Sequence, residues 1–495
     1  MRSIAILSVV ALAFAGCTVG PNYTRPTVDT PPSWRVTEEQ AGNVADNAWW
    51  GQFDDPVLDN LIRVALQENL DLQIAAARID EFAGRYGFVR ADLYPQVGVD
   101  AFAGRQRFTE ETGNFVPPGT NSTLNNYSVT LGAAWEVDVW GRIRRATEAA
   151  RADLVGTEEG RRAVILSLVG SVSGSYINLR DLDRQLEIAK ETAKSRGESL
   201  ELFRIRFEGG FTSEVEYVQV KSLYEEAMAT IPAIQKAIAQ QENGLSVLLG
   251  RNPGPIPRGK TIDQLRMPTI PPGLPSDLLE RRPDILASEQ ALVAANARIG
   301  VAKAAYYPAI SLTGLFGFAS TDLSNLFTGS AKVWSYAVPV SVPIFTAGKI
   351  AGDVQASEAI QRQALAQYRQ SIQAAFREVD DALVDRARTK EQITAQASQV
   401  KALEKYVELA RLRFDNGYTS YLEVLDAERS LFNAQLSYAQ SQGVLFQAAI
   451  NIYKAMGGGW VTEADKLTAG ATGLPLGAES AESQPSSPSA APAGN

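Results

Sequence analysis

Apolar residues recur along this chain at two periods, and the switches between them mark its elements. Over 57–93, Leu58, Leu61, Ile62, Ala65, Leu66, Leu70, Ile74 and Ala77 fall at helical spacing, and Pro95 closes the segment. The period then drops to two. Within 127–139, Val129, Leu131, Ala133, Trp135, Val137 and Val139 alternate with Ser128, Thr130, Gly132, Ala134, Glu136 and Asp138, the pattern of a strand with one apolar and one polar face. A partner strand is expected at about 96–108, joined to it by a polar loop over 109–126. A second pair follows at about 309–318 and 334–345, with a loop over 319–333. Pro339 falls inside the last of these and removes a ladder hydrogen bond.

After each strand pair comes a much longer helical pattern. Over 348–413, Leu365, Ile372, Val379, Ile393, Val400 and Val407 share one seven-residue register, interrupted only at Arg386. About 65 residues at 1.5 Å each reach about 100 Å, far beyond a bilayer. The stretch 141–207 is of equal length and carries Gly156, Gly160, Gly170 and Gly174 at spacings that permit close helix contact. Both long patterns break in nearly the same words. Arg206-Phe207-Glu208-Gly209-Gly210-Phe211-Thr212-Ser213-Glu214-Val215-Glu216 returns as Arg413-Phe414-Asp415-Asn416-Gly417-Tyr418-Thr419-Ser420-Tyr421-Leu422-Glu423. Shorter helices over 213–249 and 420–456 run back from these tips, at 207–213 and 414–420.

The phrase belongs to a long internal repeat. Gly141-Arg142-Ile143 matches Gly348-Lys349-Ile350, Leu249-Gly250 matches Met456-Gly457, and Leu93-Tyr94-Pro95 matches Tyr306-Tyr307-Pro308. The expected organisation is a first repeat over 57–250, a Pro-rich connector over 251–275 and a second repeat over 276–460. An extended arm over 17–56 precedes them, and an Ala/Pro/Ser-rich tail over 461–495 is expected to be disordered. Residues 1–16 read as an export signal: Arg2, an apolar run, then Ala15 and Gly16 before Cys17.

Composition then removes whole classes of chemistry. The chain has no histidine, which excludes Ser-His-Asp and Cys-His catalysis, and no metal or cofactor site is expected. Cys17 is its one cysteine, so no intrachain disulfide can form. A net charge of -9 without a basic face argues against nucleic acid. Residues 254–261 satisfy the phosphate-loop pattern, but Pro255 and Pro257 delete two of the backbone donors that such a loop needs. The reading is therefore of a scaffold, not an enzyme. A soluble antiparallel sheet would show the same strand alternation; export and long polar loops favour outer-membrane strands. Four strands cannot close a barrel, and an open edge cannot sit in lipid, so the barrel must be shared; three copies give twelve strands.

Cys17-Thr18-Val19-Gly20-Pro21-Asn22-Tyr23, Trp50-x-x-Phe53-x-Asp55, Arg281-Arg282-Pro283-Asp284-Ile285, both tips and Gly457-Gly458-Gly459-Trp460 together resemble the TolC-like outer-membrane efflux proteins, in particular the OprM/NodT lipoprotein branch. The resemblance implies a mixed, mostly α fold. A homotrimer would form a twelve-stranded outer-membrane β-barrel continued by a twelve-helix periplasmic α-barrel, with an equatorial belt. It implies the exit duct of a tripartite efflux pump, partnered by a periplasmic adaptor and a proton-driven inner-membrane pump of the RND type. The same architecture serves type I protein secretion, which is the alternative; a non-conducting spacer lipoprotein is a third reading. Lipidation at Cys17 and a place in outer-membrane lipid are implied, although Phe14 stands where the lipobox usually has leucine. Carried over residue by residue, the periplasmic gate falls on Glu423 and Asp426. Arg206, Glu216, Arg411 and Arg413 become tip contacts, and Gly210 and Gly417 tight turns where an adaptor docks. Glu136 and Asp138, on the polar strand face, become pore-lining residues.

Overall fold

The computed structural model describes residues 18–36, 48–109, 122–269 and 278–468. The expected signal, Cys17, most of the first hairpin loop and residues 469–495 of the tail lie outside them.

Helix α1, Pro56–Glu68, starts where the Asp55 carboxylate accepts from the backbone N–H of Val57 at 2.9 Å, with proline at a position that needs no donor. The single helix expected over 57–93 is two helices. Asn69 leaves helical geometry at ψ 130° and its side chain accepts from the N–H of Leu72, starting α2, Leu70–Ala91. The Asn69 amide also donates to the carbonyl of Leu248 at 3.0 Å, so the break is tied to the far end of the repeat.

Strands β1, Gln96–Arg107, and β2, Thr123–Glu136, form an antiparallel pair running from Gln96 opposite Ala134 to Arg107 opposite Thr123. Helix α3, Arg142–Glu208, and helix α4, Glu214–Leu248, complete the first unit. After one turn at Leu278–Arg281 come α5, Pro283–Ala304, then β3, Ala309–Ser320, β4, Lys332–Ala337, and β5, Val340–Ser341. Helix α6, Lys349–Asp415, matches α3 at 67 residues, and α7, Tyr421–Met456, returns from it.

The described strands form one antiparallel sheet ordered β1-β2-β3-β4, with β5 also on β3, so β1 and β4 are its open edges. Two strand ends differ from expectation. β2 stops at Glu136, short of 139, because the Asp138 carboxylate accepts from the N–H groups of Ile143 and Arg144 at 3.0 and 2.9 Å and so starts α3. The strand expected over 334–345 breaks between β4 and β5 at Val338-Pro339. Pro339 has no N–H to give, but its carbonyl accepts from Ser311 at 3.0 Å, and pairing resumes beyond it.

Away from the sheet, the largest apolar core gathers segments distant in sequence. Trp49 stacks on Tyr453 with ring centroids 4.9 Å apart and meets Trp460 edge-on at 5.9 Å. Around them a 3-10 turn at Trp49–Phe53, α1 and connector residues Ile256, Ile262 and Leu265 cover α3. The tail expected to be disordered from 461 is helical as far as Lys466: α8, Trp460–Lys466, buries Trp460, Val461 and Ala464, and Arg161 holds Asp465 and the Thr468 hydroxyl. Those apolar positions repeat at helical spacing, which the Ala/Pro/Ser composition farther on obscured. A second core sets Trp34 of the arm against Ile372 and Val379 of α6.

Candidate gate at the helix tips

Both long helices end in the same backbone motif. At the first tip the N–H of Gly210 donates to the carbonyl of Phe207 at 3.0 Å and that of Phe211 to Arg206 at 2.8 Å. At the second, Gly417 donates to Phe414 and Tyr418 to Arg413, both at 2.9 Å. This is a Schellman C-cap, which places its glycine in the left-handed region, and φ is +78° at Gly210 and +75° at Gly417. A Cβ at either position would meet nothing within 4 Å, so backbone conformation rather than space requires glycine. Gly417→Ala is expected to destabilise the second tip by about 1 kcal/mol, read as faster amide hydrogen exchange confined to the ends of α6 and α7.

The side chains around the two turns do different work. Glu216 is a helix cap: it accepts from the Thr212 hydroxyl and from the N–H of Ser213 at 3.1 Å, and Ser213 Oγ accepts from the Glu216 N–H at 3.3 Å. The hydrogen bond from Thr212 above all holds its carboxyl below the usual range. Glu423, its counterpart, accepts from the Thr419 hydroxyl but also pairs with Arg413 at 2.7 Å, bridging α6 to α7. Asp426 sits one turn on and pairs with Arg429 at 2.7 Å, half-exposed. The three-residue spacing puts both carboxylates on one side of α7. Arg411 reaches Glu428 at 2.6 Å and Ser195 Oγ at 3.5 Å. Arg206 instead lies over the rings of Phe203 and Phe414, 5.8 and 6.0 Å from their centroids.

Sequence reasoning missed Glu428 and Arg429, and also the aromatic knot beneath them. Phe203, Phe414 and Tyr421 pack with centroids 4.2 Å apart for Phe203–Tyr421 and 4.8 Å for Phe414–Tyr421. This knot fastens the first helical hairpin to the second. No repeat signal could reveal it, because Ala410 and Glu214 stand where a repeat would place counterparts of Phe203 and Tyr421.

Glu136 and Asp138 sit together at the junction of sheet and helices. Glu136 holds Arg142 through both oxygens at 2.9 and 2.8 Å, and Asp138 pairs with Arg144 besides capping α3. Both border a cavity of about 300 Å³ beside Trp140 and Tyr307. On one face of the sheet Val97, Val99, Leu131, Trp334 and Tyr336 are exposed. Among the described residues no helix is long and apolar enough to cross a membrane.

Two helical hairpins ending in matched tips and a sheet with open edges are an architecture that this chain shares with solved outer membrane channels. The chain belongs to the outer membrane efflux protein family, whose pattern matches it twice, at residues 61–251 and 274–458. It is 37% identical over 462 residues to the cation efflux system protein CusC of Escherichia coli O6:H1, covering 91% of this chain and 97% of that protein. To the toluene efflux pump outer membrane protein TtgC of Pseudomonas putida it is 36% identical over 467 residues, covering 93% and 96%. The solved open state of the Neisseria gonorrhoeae MtrE outer membrane channel superposes with a TM-score of 0.81 at 31% identity, over 90% of this chain and 99% of that one. The Campylobacter jejuni CmeC outer membrane channel gives 0.85 at 25%, over 92% and 99%.

Proposed function

We propose that this chain, as a homotrimer, forms the exit duct of a tripartite efflux pump and passes drugs or small solutes passively from periplasm to exterior. The observation that carries the trimer is the sheet: its edges β1 and β4 are open, its apolar side chains are exposed, and it leads directly into 67-residue helices. Lipid tolerates no open edge, and three copies meeting β4 to β1 close twelve strands. The helices then continue as a periplasmic α-barrel, each repeat contributing one hairpin.

The arm supports a lipid-anchored place in the OprM/NodT branch. The N–H of Val19 donates to the carbonyl of Trp140 at 3.0 Å, and Thr18 lies against Gly141, where strands give way to helices. An acyl chain on Cys17 would emerge at that level, beside the outer-membrane lipid. A periplasmic adaptor docks over the bare turns at Gly210 and Gly417, and a proton-driven inner-membrane pump of the RND type loads the duct. Relatives named for cation, toluene and antibiotic efflux favour this over a protein-secretion duct.

The gate is the second tip. Glu423 and Asp426 from three copies ring the mouth with about six carboxylates, attracting cations, while Arg413–Glu423 links hold each hairpin shut. Three exposed links at about 0.5–1 kcal/mol each shift an open–closed equilibrium by roughly tenfold or more. Single-channel recording in a planar bilayer tests this. Wild type is expected to give small, cation-selective openings, and Glu423→Ala/Asp426→Ala larger, less selective and more frequent ones. Trimers that insert and never conduct would overturn the duct and leave a spacer.

A further inference from the structure

A cavity between the helices lies away from the tips. Helices α3, α4 and α7 cross around a groove of about 720 Å³, within the range of small-molecule sites. Its floor is made by bare backbone: the Gln447 amide folds over Gly174, and Asp181 packs against Gly443, whose added Cβ would lie 3.1 Å from it. Ile177 and Val444 supply apolar wall. Amides supply the rest, with Gln440 donating to Gln185 at 3.2 Å and Gln185 to Asp181 Oδ2 at 3.0 Å.

Asp181 borders this groove although only 7% of its surface is exposed, and its Oδ1 has no hydrogen-bond partner. A buried carboxylate oxygen without a donor is costly, and a positive group beside it recovers that cost. At the other end of the groove stands Lys454, whose side chain lies beside Gly170, eleven residues or roughly 16 Å along α3 from Asp181. The two charges orient a guest, cation toward Asp181.

The side of α3 that carries Asp181 is also informative. Tyr176 and Arg180 face outward into the segments that cover α3, through Asp55 and the carbonyl of Lys260. At 100° per residue Asn178, Asp181 and Gln185 fall on the opposite side, which in the proposed trimer is the lumen. We propose that this groove is a lumenal subsite that holds a small amphipathic organic cation, with its charge at Asp181 and its apolar body against Ile177 and Val444. The lumenal placement rests on the channel reading; the chemistry of the groove does not.

Burial pushes the Asp181 carboxyl up, so it holds its proton to higher pH than an exposed aspartate. Only the ionised form attracts the guest, so affinity rises with pH until Asp181 is fully ionised. Lys454 of α7 is the other charged group bordering the groove, and α4 contributes the neutral Gln241.

Calorimetric titration of tetraphenylphosphonium into the full-length trimer in detergent, against tetraphenylborate of the same shape, tests the proposal. The cation is expected to bind and the anion not to, with Asp181→Asn weakening the cation by about tenfold or more. Gly443→Ala, which crowds Asp181 without changing charge, weakens it too. Equal binding of both ions, or an unchanged affinity in Asp181→Asn, overturns the subsite. Recording conductance on the same preparations keeps the readings apart: trimers that conduct but bind the cation no better than the anion overturn the groove alone, whereas absence of conduction overturns the channel.

Discussion

Asp55→Ala is expected to cost about 3–5 kcal/mol of stability, among the largest effects of any single substitution in this chain. Asp55 is fully buried, and its carboxylate gathers the N–H of Val57, the Tyr176 hydroxyl at 2.7 Å and the N–H of Lys260 at 3.0 Å. It therefore starts α1, anchors α3 and fixes the connector at one point. Gly259 is bare so that the connector can come this close: a Cβ there would lie 2.1 Å from Asp55 Oδ1. Alanine would leave three buried donors unanswered and open a void beside them. Tyr176→Phe removes one of those bonds and should cost about 1–1.5 kcal/mol. The residues share a partner, so the double variant should cost less than the sum of the two. Denaturant unfolding followed by tryptophan fluorescence reads all three, because Trp49 and Trp50 lie in the same core. An Asp55→Ala protein within about 1 kcal/mol of wild type would show that the connector is held elsewhere.

The same network explains why the phosphate-loop pattern at 254–261 carries no phosphate chemistry. The N–H of Gly259 donates to Tyr176, that of Lys260 to Asp55, and the Lys260 ammonium pairs with Asp54 at 2.6 Å. Its donors are spent inside the protein. Periodicity located the long elements well, since burial against a neighbour is what fixes it: Ile372 and Val379, on the predicted register of α6, are fully buried. Farther along that register Ile393 and Val400 are only half-buried. Helix breaks and strand ends were harder to read. They depend on single polar side chains, Asn69 and Asp138, whose capping partners are three to six residues away and carry no period. The tips were legible as turns, because a repeated glycine advertises its φ. Their side-chain pairing was legible only in part: Arg413 and Glu423 meet, but Arg206 took an aromatic face, since Phe203 and Tyr421 have no counterparts in the other copy.

That asymmetry sets up the second large effect, which falls on the proposed gate. Phe203→Ala is expected to destabilise the tips by about 3–5 kcal/mol while leaving the core around Trp49 intact. Phe203 is buried between Tyr421 and Phe414 with the Arg206 guanidinium above it, and Val220, Ala410 and Val424 close the cluster. Its loss empties the middle of the knot, leaving Arg206 one aromatic face instead of two. The two hairpins are then joined at the tip chiefly by exposed polar contacts such as Arg411 to Ser195, which are individually weak. Exchange of backbone amides near Tyr421 and Val424 should therefore rise by two orders of magnitude or more, about 1.4 kcal/mol per tenfold, with no change near Trp460. In a bilayer the same variant should open more often than Glu423→Ala, because a buried aromatic contact outweighs an exposed ion pair. Tyr421→Phe, which keeps the ring and drops the hydroxyl with its hydrogen bond to Ser199, should lie much closer to wild type than to Phe203→Ala in both assays. If Phe203→Ala loosened the tips without raising conductance, the constriction would lie away from the aromatic knot; if exchange stayed unchanged, the hairpins would be held together by other contacts.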